Sequence, residues 1–321
     1  MIIVTGGAGF IGSAFIWKLN NEGIDDILIV DRLNTSEKWK NLVSRKFTDY
    51  IHKDAFLDML NGSQLSARAV VHMGACTSTT EEDADYLIEN NYRYSRRLAE
   101  WSLDRGIPFI YASSAATYGT GEQGFSDDHS RLETLHPLNR YAYSKHLFDL
   151  WAYRNGLIDR MVGVKFFNVF GPNEYHKGPM ASMVYQAFQQ IQKSGGVKLF
   201  KSYREEYRDG EQMRDFIYVK DCVEILWWFL QHPDIGGIYN VGTGRARTWN
   251  DLVTSLYRAL GRDPSIEYSE MPGHLKKQYQ YFTEAEMAKL HAAGCSHQFS
   301  SLEEAVSDYV LTYLTAGECC L

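Results

Sequence analysis

Thr5-Gly-Gly-Ala-Gly-Phe-Ile-Gly12 decides the fold. It follows a short apolar run, Met1 to Thr5, and opens Ile11 to Asn20, whose apolar residues recur at helical spacing. Gly6, Gly9 and Gly12 stand three apart. In a strand–turn–helix, one such glycine permits the tight turn, one lets backbone approach a pyrophosphate, and one lets helix pack on strand. A pyrophosphate there meets free N–H groups and the positive end of the helix dipole. A second apolar strand, Asp26-Ile-Leu-Ile-Val-Asp31, ends in an acid 19 residues after Gly12. An acid at that place accepts hydrogen bonds from an adenosine ribose. The stretch predicts a dinucleotide site.

Working outward, Ala69–Met73, Ile107–Ala112 and Met161–Phe167 read as further buried strands, and Asp83–Asp104 and Tyr141–Asn155 as helices. Strands alternating with helices predict an α/β chain of Rossmann type, a doubly wound parallel sheet with ligands outside the carboxyl ends of its strands. After Asn168 the pattern breaks at Gly171-Pro172, Gly178-Pro179 and Gly195-Gly196. The predicted layout is discontinuous: 1–167 is the dinucleotide-binding domain and 215–235 returns to it, while 168–214 and 236–321 mainly build a smaller substrate-binding domain. Lys201 to Arg214 is dense in charge without an apolar period, and is expected to be a mobile surface loop.

The composition narrows the function. With 45% apolar and 23% charged residues, 321 residues make an ordinary globular chain. A net charge of −7 argues against a nucleic-acid or anionic-membrane surface, and no apolar run approaches a membrane span. Five cysteines without framework spacing suggest a reducing compartment, and no CxxC or HExxH motif supports a metal. Cys76, Cys222 and Cys295 read as small buried apolar residues, and Glu318 stands where a prenylated cysteine would sit, so Cys319 and Cys320 make no lipid anchor. The glycine turn follows the first residues so closely that a signal peptide has no room. Cytoplasmic localisation is the expectation.

Tyr141-Ala-Tyr-Ser-Lys145 puts Tyr141 and Lys145 four apart on one helix face. A free phenol titrates near ~10, and a neighbouring ammonium favours its ionised form. Such a tyrosine can exchange a hydroxyl proton while a nicotinamide exchanges hydride. Lys145 can also hold the nicotinamide ribose. Upstream, Ser113 and Ser114 end a buried strand and face the crevice. At the adenosine corner Asp31 favours NAD, but Arg32 follows it at once, with Lys38 and Lys53 in reach. A guanidinium fork pairs with a 2′-phosphate, so NADP is expected, with NAD the lesser choice.

TGGAGFIG, SSAATYG, YAYSK and FFNVFGP occur in this order along nearly the whole chain. The chain resembles the extended short-chain dehydrogenase/reductase family of nucleotide-sugar epimerases and dehydratases. The resemblance implies Ser114, Tyr141 and Lys145 as the catalytic triad, and Asn90 on the cofactor side. It completes a cofactor set with Phe10, Ile11, Gly74, Ala75 and Val169. Dehydratases of the family carry an Asp-Glu pair after the serine; Ala115 and Ala116 stand there, so dehydration is not expected. The segments Gly74–Thr80, Asn168–Ser182 and Arg214–Val219 resemble the branch that epimerises carbon 6 of an ADP-heptose for lipopolysaccharide inner core. That likeness implies an active-site role for Lys177, toward both cofactor and substrate, and substrate contacts from Asn168, Phe200, Ser202, Arg214 and Tyr279. Carbon 6 lies outside the sugar ring, so inversion needs proton relays for two orientations, Tyr141 for one and Lys177 for the other. Arg214 suits an ADP pyrophosphate. Tyr203–Gly210 reads as an insertion and Pro179 as a departure from the branch. The resemblance also implies a homo-oligomer.

A UDP- or GDP-sugar 4-epimerase or reductase is the nearest alternative, and Lys177 counts against it. A cofactor-sensing regulator would not need the intact triad. An RNA-binding role finds no basic stripe or aromatic platform.

Overall fold

The computed structural model describes residues 1–60, 65–276, 279–317 and 320–321; the Cys319 reading lies outside them. Strands β1 (Ile2–Thr5), β2 (Ile27–Asp31), β3 (Asp49–His52), β4 (Ala69–His72), β5 (Phe109–Ser114) and β6 (Val162–Phe166) belong to one sheet. Strands β7 (Asn168–Phe170), β8 (Val197–Phe200), β9 (Met213–Tyr218), β10 (Gly237–Val241), β11 (Ala246–Thr248) and β12 (Ile266–Ser269) follow. The large sheet runs β3-β2-β1-β4-β5-β6-β10, every pairing parallel. Ile2 registers with Ile27 on one side and Ala69 on the other, so strand order reverses at β1 and opens a crevice beyond Thr5 and His72. Every residue of β1, β2, β4 and β6 is buried, as parallel strands covered on both faces require. Helix Phe10–Asn21 packs on helix Val219–Gln231, and helix Arg140–Arg154 on β5.

Two small sheets follow: antiparallel β11–β9 joined to parallel β9–β7, of which β7 and Phe216 line the crevice, and parallel β12–β8. This redraws the expected boundaries. β10, placed with the smaller domain, instead pairs with β6 and completes the large sheet. Of the returning segment, helix Val219–Gln231 packs on the first helix, but β9 belongs to a small sheet. Gly237 allows the entry into β10, with φ +127.

The expected mobile loop is anchored. Ser202 N–H donates to Asp209 Oδ1 (2.7 Å), Tyr203 N–H to Tyr281 Oη (3.1 Å), and the Arg204 guanidinium lies 4.5 Å from the Tyr281 ring centroid. Met213 and Arg214 already belong to β9. Aromatic residues far along the chain replace the missing local period. Cys222 and Cys295 are buried as expected, whereas Cys76 is half-buried beside the crevice. Among the described residues no helix is long and apolar enough to cross a membrane.

Candidate active site

The glycine turn is built by exclusion. Gly6 has φ +65, and a Cβ there would lie 2.6 Å from the Gly74 backbone. A Cβ on Gly12 would lie 2.2 Å from the Gly6 carbonyl oxygen. Gly9 N–H closes the turn on that same carbonyl at 2.9 Å. Behind it the Thr5 hydroxyl bonds His72 Nδ1 (2.5 Å), and His72 Nε2 bonds Ser95 (2.7 Å). Burial pushes His72 down to about 3, so it is a neutral strut. The result is a side-chain-free cradle at a helix N-terminus, which fits a dinucleotide pyrophosphate.

A cavity of about 900 Å³ opens from this cradle. Its floor carries Gly6, Gly9, Phe10, Ile11 and Gly12, with Gly74 and Ala75 after β4. At one end stand Asp31, Arg32, Lys38, Lys53 and Asn90. At the other stand Ser114, Tyr141, Lys145, Asn168, Val169 and Lys177. Residues from distant parts of the sequence thus line one cavity.

The adenosine corner is densely wired. Asp31 Oδ2 accepts from Ala8 N–H (2.9 Å); Oδ1 accepts from Arg32 N–H (2.6 Å) and Lys38 Nζ (2.5 Å). Both carboxylate oxygens therefore serve the protein. Among the described residues the Arg32 guanidinium makes one long bond, to Tyr86 Oη (3.4 Å), and Lys53 Nζ donates to Asn90 Oδ1 (3.0 Å) and pairs with Asp54 (3.2 Å).

At the reactive end, Asn139 caps the helix that carries YAYSK, accepting from Ala142 N–H at 2.8 Å. Tyr143 is 49% exposed, which leaves Tyr141 as the tyrosine of the cavity. Ser114 ends β5, its hydroxyl accepting from Ala116 N–H (3.1 Å) and sharing a hydrogen bond with Tyr141. The expected lowering of the phenol is not found. Burial raises Tyr141, against the Ser114 hydrogen bond, because desolvation outweighs every favourable neighbour. Burial also pushes Lys145 down to about 8, opposed by the Asp149 carboxylate. Lys177 stands on a turn over Tyr175–Met180, its ammonium 5.1 Å from the centroid of the Phe10 ring. Burial lowers it as well, against Glu174.

Four expected substrate residues do not line this cavity. Arg214 is buried, its guanidinium 5.7 Å from the Trp249 ring and 5.2 Å from the Tyr279 ring, donating to the Met213 carbonyl (2.8 Å) and to that of Gln280. Trp249 Nε1 donates to Tyr279 Oη at 2.9 Å, and Trp249 itself faces the cavity. Phe200 and Ser202 stand beyond Gln212, which donates to the Phe200 carbonyl at 3.5 Å. Trp249 thus borders the cavity on one side and touches Arg214 and Tyr279 on the other. Sequence reasoning also passed over Asn91. It is fully buried on a π-helical turn, Ile88–Arg93, and its amide exchanges bonds with Cys76 N–H (2.8 Å) and Cys76 O (2.9 Å), then reaches Ser144 (3.0 Å). Its neighbour Asn90 faces the cofactor end; adjacent asparagines carry no local signal that tells them apart.

The family model for the NAD dependent epimerase/dehydratase family matches residues 2–242. The chain belongs to that family. A relative from Nitratidesulfovibrio vulgaris, an ADP-L-glycero-D-manno-heptose-6-epimerase, is 59% identical over 320 residues and 99% of each chain. The ADP-L-glycero-D-manno-heptose-6-epimerase of Helicobacter pylori superposes with a TM-score of 0.82 at 29% identity, over 96% of this chain and 94% of that one. A Thermus thermophilus UDP-glucose 4-epimerase in complex with NAD gives a TM-score of 0.76 at 25% identity, over 96% and 97%. This chain is therefore an epimerase of the nicotinamide-dinucleotide class, an isomerase acting on a nucleotide sugar.

Proposed function

We infer that this chain converts ADP-D-glycero-D-manno-heptose to its L-glycero epimer at sugar carbon 6, for the inner core of lipopolysaccharide. One observation carries the reading beyond likeness. Lys177, 165 residues beyond Gly12, faces the same cavity as Tyr141, Lys145 and Ser114. Ala115 and Ala116 leave a dehydratase without its acid and base.

When bound, the nicotinamide supplies reversible redox chemistry at the sugar carbon. The cradle of Gly6, Gly9 and Gly12 holds the pyrophosphate, and Lys145 holds the nicotinamide ribose. Ser114 orients the carbon 6 hydroxyl toward Tyr141 Oη. Tyr141 takes and returns the hydroxyl proton in one orientation of the exocyclic carbon. Lys177 Nζ does so in the other; an amine lowered by burial gives up its proton more readily. Asn168 borders the sugar. Arg214 with Tyr279 forms the nucleotide end beyond Trp249, with Phe200 and Ser202 behind.

The cofactor proposed is NADP. Asp31 has spent both oxygens on Ala8, Arg32 and Lys38, and Arg32, Lys38 and Lys53 all face one corner, Lys38 paired with Asp31 and Lys53 with Asp54. Such a corner suits a 2′-phosphate better than a ribose diol. The proposal includes action in the cytoplasm as a homo-oligomer. The fold likeness to a UDP-glucose 4-epimerase keeps carbon 4 chemistry as the second reading. Separate Tyr141→Phe and Lys177→Met variants decide between them. If both lose epimerisation while keeping fold and cofactor, the two-relay reading stands. A Lys177→Met enzyme with nearly intact turnover returns the chain to carbon 4 chemistry.

A further inference from the structure

Beneath the reacting end lies an ion pair that the mechanism above does not use. Asp149 and Lys165 are 0% and 1% exposed, with Nζ 2.9 Å from Oδ2. Asp149 follows Lys145 by one helical turn, and Lys165 sits in the middle of β6. The Asp149 carboxylate also accepts from Tyr111 Oη (3.0 Å) and Ser113 Oγ (2.7 Å) on β5. Lys165 donates to Thr117 Oγ1 (2.5 Å), and Thr117 Oγ1 donates to the carbonyl of Ser114 (2.8 Å). The Lys165 ammonium lies 5.0 Å from the Tyr118 ring centroid. One buried anion and one buried cation thus tie together the helix of Tyr141 and Lys145 and the strand end of Ser114.

Such a pair is expensive to bury, and an apolar pair of equal volume holds a core as well or better. Its retention under the reacting residues points to a use other than stability. Resting on the triad reading above, we propose that the Asp149–Lys165 pair is a positioning device: it fixes Ser114 against the helix and sets a buried anion one helical turn from Lys145. Titratable groups that feel the pair are Lys145 and His146 on the helix, Tyr111 on β5, Tyr118 after Ser114, and Lys289; His72 on β4 in turn faces Lys145. Among the causes that set Lys145, Asp149 is the one that raises it. His72 and His146 are pushed down to about 3 and about 4, so they are neutral across the working range. Loss of the anion therefore moves the protonated limit of Lys145 to lower pH; loss of the Lys165 cation offsets little of this, because Asp149 and not Lys165 is among the charges that set Lys145.

The test uses the full chain with two variants. Asp149→Asn alone strands the Lys165 charge and risks the fold. Asp149→Asn/Lys165→Met removes both charges and restores a neutral core. Thermal unfolding reports stability, and ¹⁵N NMR of the lysine Nζ in cofactor-stripped protein reports Lys145 directly. The expected result for the double variant is near-parental unfolding, a Lys145 titration lowered by ~1 pH unit, as removal of a nearby opposite charge gives, and an alkaline limb of kcat displaced the same way with KM little changed. kcat at neutral pH falls at least ~10-fold, on the scale of a misplaced general acid–base group. A stable double variant with parental Lys145 titration, kcat and pH profile overturns the proposal and leaves the triad reading intact. If Tyr141→Phe is itself fully active, the triad reading fails first.

Discussion

Substituting Gly12 by alanine puts two effects in direct opposition. On helix propensity alone, alanine for glycine inside the Phe10–Asn21 helix stabilises by about 1 kcal/mol. The close approach says otherwise. The new methyl would sit 2.2 Å from the Gly6 carbonyl oxygen and 2.8 Å from its carbon, where ordinary contact begins near 3.4 Å. Both obstacles are backbone, in a turn already closed by the Gly9 to Gly6 bond, so the helix start must retreat by about 1 Å. Overpacking of this kind costs roughly 1–3 kcal/mol, which cancels or exceeds the propensity gain. Retreat also lengthens the N–H contacts to a bound pyrophosphate. Loss of two charge-assisted bonds, at roughly 1.5–3 kcal/mol each, weakens dinucleotide binding by at least ~100-fold. The assay is isothermal titration of stripped protein with NADP, beside chemical denaturation. Gly196→Ala serves as control, since its Cβ meets nothing closer than Ser265 Oγ at 3.5 Å. A Gly12→Ala protein that is stabilised by about 1 kcal/mol and binds dinucleotide like the parent refutes the reasoning.

Lys177→Met removes one relay without touching the fold's hydrogen bonds; epimerisation should fall by ~10²- to 10⁴-fold in steady-state kinetics, with unfolding unchanged. Arg32→Ala should weaken NADP by ~10- to 100-fold and NAD by much less, since one charged bond to phosphate is removed; equal losses in paired titrations place the guanidinium away from the 2′-phosphate. His72 and His146 are depressed from 6.5 to about 3 and about 4, so folded protein keeps them neutral while unfolded chain protonates below 6.5. Their contribution to stability is present above 6.5 and is lost as pH falls toward 4, by about 2 kcal/mol per group between 6.5 and 5. Urea midpoints measured from pH 7 to 5 should fall, and His146→Gln should flatten part of that slope.

What was legible in the sequence is what one short segment encodes. TGGAGFIG carries its own strand, turn and helix start, and Tyr141 with Lys145 needs only one helical turn. Strand ends such as Ser114 follow from the carboxyl-end rule for parallel sheets. The rest depends on distant partners. β10 gave a short apolar run with no hint that it would pair with β6. The charged 201–212 segment is ordered by Tyr281 and Asn250, which lie tens of residues later. Arg214 stands beside the right motif, yet it packs against Trp249, and Trp249 rather than Arg214 lines the cavity. The Tyr141 expectation weighed the Lys145 charge and left out burial, and burial won. Asp149 and Lys165 read as a polar residue in a helix and a lysine in a strand; only the packing of that helix on β5 and β6 makes them a pair.

The most direct test of the central claim is to incubate the purified chain with ADP-D-glycero-D-manno-heptose, without added cofactor, and follow the configuration at sugar carbon 6 by NMR. Conversion toward the L-glycero epimer, lost in Tyr141→Phe, is the predicted result. A parental protein that leaves carbon 6 unchanged even with NADP restored, yet inverts carbon 4 of a UDP-hexose, contradicts the claim.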